Sequence, residues 1–275
     1  MSTSSRLPVL FIPHGGGPWH VMLQQPVESG ASWTPLSNYL KTVAKTIGRK
    51  PKAILVVTGH WDDEPVPTVS TAKSPGMLYD YYGFPPNTYE IKYPAKGSPE
   101  VAKRVRELLT AAGIDSAENA ERGYDHGVFV PMMVAFPEAD IPVVMMSLQR
   151  NLDAADHIAI GKALAPLRDE DVLIITSGMS YHNMRMFGRQ DEAHVKQAIR
   201  FDDWLKAAVA KPSPAEREET LENWEKNTDA VACHFPGSEH LTPLFVAEGA
   251  GGNDIGKAVF TTTFLGKPYS AFQFG

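Results

Sequence analysis

Cysteine is nearly missing. The 275 residues contain one, Cys233, so no disulfide can close within the chain and a reducing compartment is expected. Its ordinary fate is burial as a small apolar side chain. Long apolar runs are missing as well. None approaches the ~20 residues that span a bilayer, and the first, Val9 to Ile12, is too short for the core of a secretory signal. A cytoplasmic protein with no membrane contact is the expectation. No cluster of lysine and arginine occurs and the formal net charge is −6, which disfavours nucleic acid as a partner. Gly15 to Gly17 has neither GxGxxG spacing nor a GK[ST] ending, so it does not read as a phosphate loop. HExxH and paired cysteines, the specific zinc signatures, are absent too.

What is present has the balance of a globular protein, 43% hydrophobic and 21% charged. That length buries a substantial core without a disulfide or structural metal. With no internal repeat or low-complexity linker, one domain over residues 1–275 is expected. Apolar, β-branched runs read as buried strands at Pro8 to Pro13, Ala53 to Val57, Ile141 to Leu148 and Asp171 to Thr176. Thr68 to Ser70, Thr88 to Tyr93, Val259 to Phe264 and Tyr269 to Phe274 are further strand candidates. Helical spacing marks Pro35 to Ile47, Glu100 to Ala112, Val128 to Phe136, Asp153 to Leu167, Asp191 to Ala210, Pro214 to Asn227 and a stretch starting at Glu239. Alternation of these elements predicts an α/β fold: a central, mostly parallel mixed sheet with helices on both faces. Residues 8 to 60 read as a βαβ unit with two parallel strands.

Three of the nine histidines follow strands: His14, His60 and His182. Ligands of open α/β sheets bind outside the carboxyl ends of the strands, and convergent neutral imidazoles suit Zn, Fe, Cu or Ni. Strand order is not readable from this pattern, so convergence stays an expectation.

The segments FIPHGGGPW, VVTGHW, GYDHG, SGMSYHN and SEHLTPL follow one another along the chain. In that order they resemble the LigB-type (class III) extradiol dioxygenases, in particular the DOPA-dioxygenase branch with its strand-HG, strand-AHW, GFDHG, SGxxxHN and EHxLPL blocks. The resemblance implies a metal-dependent extradiol dioxygenase that opens the ring of a small catecholic substrate with O₂. It implies a mononuclear site of His14, His60 and His240, with Fe(II) for activity and Zn²⁺ as an ion the site also accepts. His182 would act as acid/base, or as a further ligand, and His126 would face substrate and dioxygen and hydrogen-bond the charge developing on oxygen. A related branch uses a carboxylate as third ligand, which makes Glu239 the alternative to His240. Asp125 or Asn183 would orient the imidazoles. His20 and His234 would shape the pocket or hydrogen-bond locally; Tyr79, Tyr81, Tyr82 and Phe84 could line a pocket, with core and loop packing the expected role for most of them; and His157 and His194 would lie on the surface of outer helices. The chain departs from the branch at His14-Gly-Gly-Gly-Pro-Trp-His20, Tyr124 and Thr242, which bears on substrate more than on reaction. A zinc hydrolase using the same histidines and a non-catalytic binding protein on this scaffold are the rival readings. A homodimer is a further expectation.

Overall fold

The computed structural model describes residues 6–23, 32–189 and 191–275. Four runs in which every residue is buried make the parallel centre of the sheet: β1 (Val9–Pro13), β2 (Ala53–Thr58), β5 (Val143–Met146) and β6 (Val172–Gly178). Strands covered on both faces read as continuous apolar runs, which is what these segments are. Each buried Val, Leu or Ile contributes roughly 1.5–3 kcal/mol relative to exposure. β3 (Thr68–Ser70) and β4 (Ala117–Asn119) extend one edge. β9 (Gly256–Phe264) and β10 (Lys267–Phe274) extend the other, and the full order is β4-β3-β5-β2-β6-β1-β10-β9. β10 runs antiparallel to β1, and β3 antiparallel to β5.

α3 (His126–Ala135) packs on α1 (Thr34–Ile47), and α8 (Thr242–Gly251) packs on α4 (Ala154–Leu164). Both α3 and α8 lie against β2 and β6, so the sheet is covered on its two faces by different pairs. α2 (Pro99–Ala111), α5 (Glu192–Val209), α6 (Pro214–Glu222) and α7 (Thr228–Cys233) complete the layers, and β7 (His182–Asn183) pairs with β8 (His234–Phe235) apart from the main sheet. The expected α/β sandwich of helices around a mixed sheet is therefore the fold. Among the described residues no helix is long and apolar enough to cross a membrane.

Several expectations fail for identifiable reasons. β1 and β2 are not neighbours, because β6 lies between them and pairs with both. Nearness in sequence did not outweigh the central position open to a seven-residue strand apolar on both faces. Thr88 to Tyr93 is no strand. Pro86 opens a 3₁₀ turn over Pro86–Glu90, its fixed φ suiting a first helical position rather than a ladder. β4 reads AEN and offers no apolar alternation, so nothing in its composition announces it. His157 and His194 are buried, not on the surface. α4 (AADHIAIGKAL) has little polarity on any side, and His157 is held there by Nδ1–H donating to the Asp153 carbonyl at 2.6 Å and Nε2 accepting from the Gln149 amide at 3.0 Å. His194 lies against the Tyr181 hydroxyl at 2.9 Å.

Candidate metal centre and active site

β1 ends at Pro13 and delivers His14, whose amide donates to the Gly178 carbonyl at 3.2 Å. β2 ends at Thr58, and the Gly59 amide donates to the Ser177 carbonyl at 3.0 Å, fixing the turn that carries His60. Both strands flank β6, so the two histidines emerge on either side of its carboxyl end. His240 arrives from the last third of the chain. Its carbonyl accepts from the Met179 amide at 2.8 Å, just past the end of β6. Two glycines permit that approach: a Cβ on Gly178 would lie 2.2 Å from the His240 carbonyl oxygen, and one on Gly59 2.7 Å from the Glu239 carbonyl oxygen.

The three imidazoles meet through their Nε2 atoms, His14 to His60 at 3.0 Å and His60 to His240 at 3.2 Å. Their other nitrogens settle which tautomer each adopts. The Ser177 hydroxyl donates to the Gly127 carbonyl, so its oxygen accepts from His14 Nδ1–H at 3.2 Å. His60 Nδ1 lies 3.2 Å from Asp80 Oδ2, and His240 Nδ1 lies 3.0 Å from Glu239 Oε1. Carboxylates accept and do not donate, so each Nδ1 carries the proton and each Nε2 presents a lone pair. A shared proton does not resolve the crowding. Burial, then the charge of neighbouring imidazoles, holds His14 and His60 well below the usual histidine range and His240 down at about 3. Three proton-free nitrogens facing one another repel unless a cation stands between them. The donor set fits a divalent metal ion with nitrogen preference.

His182 lies face to face on His240, ring centroids 3.4 Å apart, and its Nδ1 is 3.5 Å from Glu239 Oε1. Glu239 thus sits behind His240, on the side away from the three converging nitrogens. Burial works to raise its pKa, but the nearby imidazoles of His182 and His240 outweigh this and hold the carboxyl well below the usual range. His126 opens α3, its ring 3.9 Å from that of His60 and 5.5 Å from that of His14. His14, His60, His240, His182 and His126 therefore form one cluster.

The two proposed orienting residues do other work. Asp125 caps α3 by accepting from the Val128 amide at 3.1 Å and from the Thr58 hydroxyl at 3.0 Å. Asn183 donates to the Ala232 carbonyl at 2.7 Å. Besides Ser177 and Glu239, a residue that does hold imidazoles is Asp80, which sequence reasoning missed. Oδ1 accepts from the amide and Nδ1 of His126 at 2.9 and 2.8 Å, while Oδ2 faces His60. Its only signal was a position among Tyr79, Tyr81, Tyr82 and Phe84, in a loop with no recognisable block. Tyr79, Tyr81, Phe84 and Phe129 pack together, with Tyr81 5.9 Å from His126. His20 stands edge-on to Phe129 at 6.4 Å, and neither of its ring nitrogens has a hydrogen-bond partner among the described residues. His234 is buried between Phe201 and Trp224, behind the cluster.

With this geometry established, similarity to known proteins decides the family. The family described as "Catalytic LigB subunit of aromatic ring-opening dioxygenase" matches residues 8–273. The chain belongs to the LigB family. Among its relatives, the "4,5-DOPA dioxygenase extradiol" of Portulaca grandiflora is 43% identical over 205 residues, covering 74% of each chain. "Dioxygenase tasH" of Hapsidospora irregularis is 37% identical over 283 residues, covering 98% of this chain and 85% of its own. A crystal structure of an uncharacterised Escherichia coli K12 protein superposes with a TM-score of 0.77 at 28% identity, over 98% of this chain and 100% of that one. As a LigB protein this chain is a metal-dependent extradiol dioxygenase, with a catecholic substrate and O₂ as its reactants.

Proposed function

We propose that the ion is Fe(II), bound by Nε2 of His14, His60 and His240, and that the chain opens the ring of a small DOPA-like catechol at an extradiol bond. The carrying observation is the trio of proton-free Nε2 atoms, 3.0 and 3.2 Å apart, beside a His60 whose side chain is still 20% exposed. His14, His60 and His240 would hold the ion, and iron there would supply the electron transfer that O₂ chemistry needs. The chain's own residues handle protons and shape. His182, stacked on the His240 ring at 3.4 Å, takes a proton from one catechol hydroxyl, since an imidazole nitrogen can accept a proton and return it. The aromatic wall of Tyr79, Tyr81, Phe84 and Phe129 suits the flat face of a ring. His20, beside Phe129, offers a polar edge to a ring substituent.

An all-nitrogen, uncharged ligand set also favours Zn²⁺, which stands above Fe(II) in the divalent affinity order. Purified protein is expected to carry zinc and turn over little until iron replaces it. Cytoplasmic location and pairing of two chains belong to this proposal as well. The test is a panel of catechols, gallates and aminophenols offered to protein reconstituted with Fe(II). Coloured ring-opened product that requires both iron and O₂ supports the reading; hydrolysis persisting without O₂ would replace it with the zinc-hydrolase alternative.

A further inference from the structure

Asp80 joins two histidines with different jobs. The His126 amide must donate to Oδ1, which lies 2.9 Å away, so that oxygen is an acceptor. The same Oδ1 is 2.8 Å from His126 Nδ1, and the other oxygen is 3.2 Å from His60 Nδ1. A carboxylate has room for about four hydrogen bonds: Oδ1 takes the two from His126, and Oδ2 faces His60 Nδ1 in an ion-pair contact. Each neutral imidazole has one proton, and Asp80 draws it to Nδ1 in both rings. For His60 the bare Nε2 is the atom turned to His14 and His240. For His126 the bare Nε2 cannot donate; it can only accept.

We propose that Asp80 is a positioning residue that fixes the tautomer of both His60 and His126, and so makes His126 Nε2 the acceptor of the second catechol proton. The inference rests on the iron-centre reading above, and it changes the expected role of His126. A hydrogen bond from His126 to reduced oxygen exists only after the ring has taken a proton. In that step the hydroxyl O–H bond breaks and its electron pair stays on the catechol oxygen. The proton moves to Nε2, and the resulting imidazolium faces the Asp80 anion through Nδ1–H, the arrangement by which a buried aspartate supports a catalytic histidine. Two hydroxyl protons thus have two receivers, His182 and His126. Glu239 does not fix His182 in the same way, because its Oε1 is 3.5 Å from His182 Nδ1, long for a hydrogen bond.

The experiment reads tautomers directly. Long-range ¹H–¹⁵N correlation of the imidazoles in the zinc-loaded protein is expected to show His60 and His126 protonated at Nδ1 and bare at Nε2. Asp80→Asn offers one acceptor and one NH₂ donor, so it cannot serve both rings. One histidine should switch tautomer, zinc affinity in chelator competition should weaken ~10–100-fold, and kcat of the iron form should fall ~10²–10⁴-fold with KM nearly unchanged. Asp80→Glu should restore the Nδ1–H signal in part. A wild-type His126 protonated at Nε2 overturns the proposal without need of any variant. So does an Asp80→Asn protein, folded by circular dichroism, with both tautomers and zinc affinity unchanged. Failure of the underlying centre looks different: His60→Ala would then keep one zinc per chain at unchanged affinity, and Asp80 would have no ligand to position.

Discussion

The Met179 amide donates to the His240 carbonyl at 2.8 Å, tying the end of β6 to the segment that leads into α8. Through this bond a histidine late in the chain comes level with two that precede residue 61. The contact leaves no space beside it, since a Cβ on Gly178 would stand 2.2 Å from that same carbonyl oxygen.

Gly178→Ala should therefore act on the centre rather than only on the core. Backbone shifts of this kind cost ~1–3 kcal/mol, and the displaced segment carries His240. The expected result is a lowered Tm together with a weaker apparent zinc affinity. A lowered Tm with unaltered affinity would mean that the His240 segment is not held from β6.

His60→Ala removes the imidazole whose Nε2 contacts both others. Turnover with Fe(II) should drop to background while the far-ultraviolet circular dichroism stays native. Unchanged ring cleavage would eliminate the proposed centre.

Glu239→Gln separates the two candidate third ligands. A residue that stands behind His240 and supports it should weaken metal binding ~10–100-fold and leave turnover measurable at saturating metal. If Glu239 were itself the ligand in place of His240, binding would be lost while His240→Ala retained it.

Arg168 is buried and its guanidinium donates to the carbonyls of Leu7, Ala250, Gly251 and Phe274 and to Asp254 at 2.5 Å. It fastens the entry to β1, the end of α8 and the end of β10 at the pole opposite the histidines. Arg168→Met strands these acceptors. A loss of ~3–5 kcal/mol is expected, visible as a lower denaturation midpoint in urea with metal content unaltered.

Stability should also depend on pH through histidines buried in the neutral form. Burial lowers His157 and pushes His234 down to about 4, from an ordinary value of 6.5. A depressed folded pKa contributes stability that is complete above the unfolded value and is lost as pH falls through the window below it. In metal-free protein, Tm should decline steadily from pH 6.5 towards pH 4. His157→Gln, which keeps a side-chain polar group, should make that decline shallower.

Much of this protein is legible in its sequence because the deciding physics is local. β1, β2, β5 and β6 are apolar runs that pack on both faces; the ends of β1 and β2 place His14 and His60, and His182 follows β6 in the short β7. The five histidine-bearing blocks pointed to the family in the same local way. What only the tertiary structure decided is who faces whom. β6 entered between β1 and β2, Asp80 replaced Asp125 as the carboxylate that holds imidazoles, and His157 and His194 turned inward. Periodicity reports which side of an element is apolar, while strand order and loop placement follow from long-range packing and hydrogen bonds that close only when the whole sheet has formed.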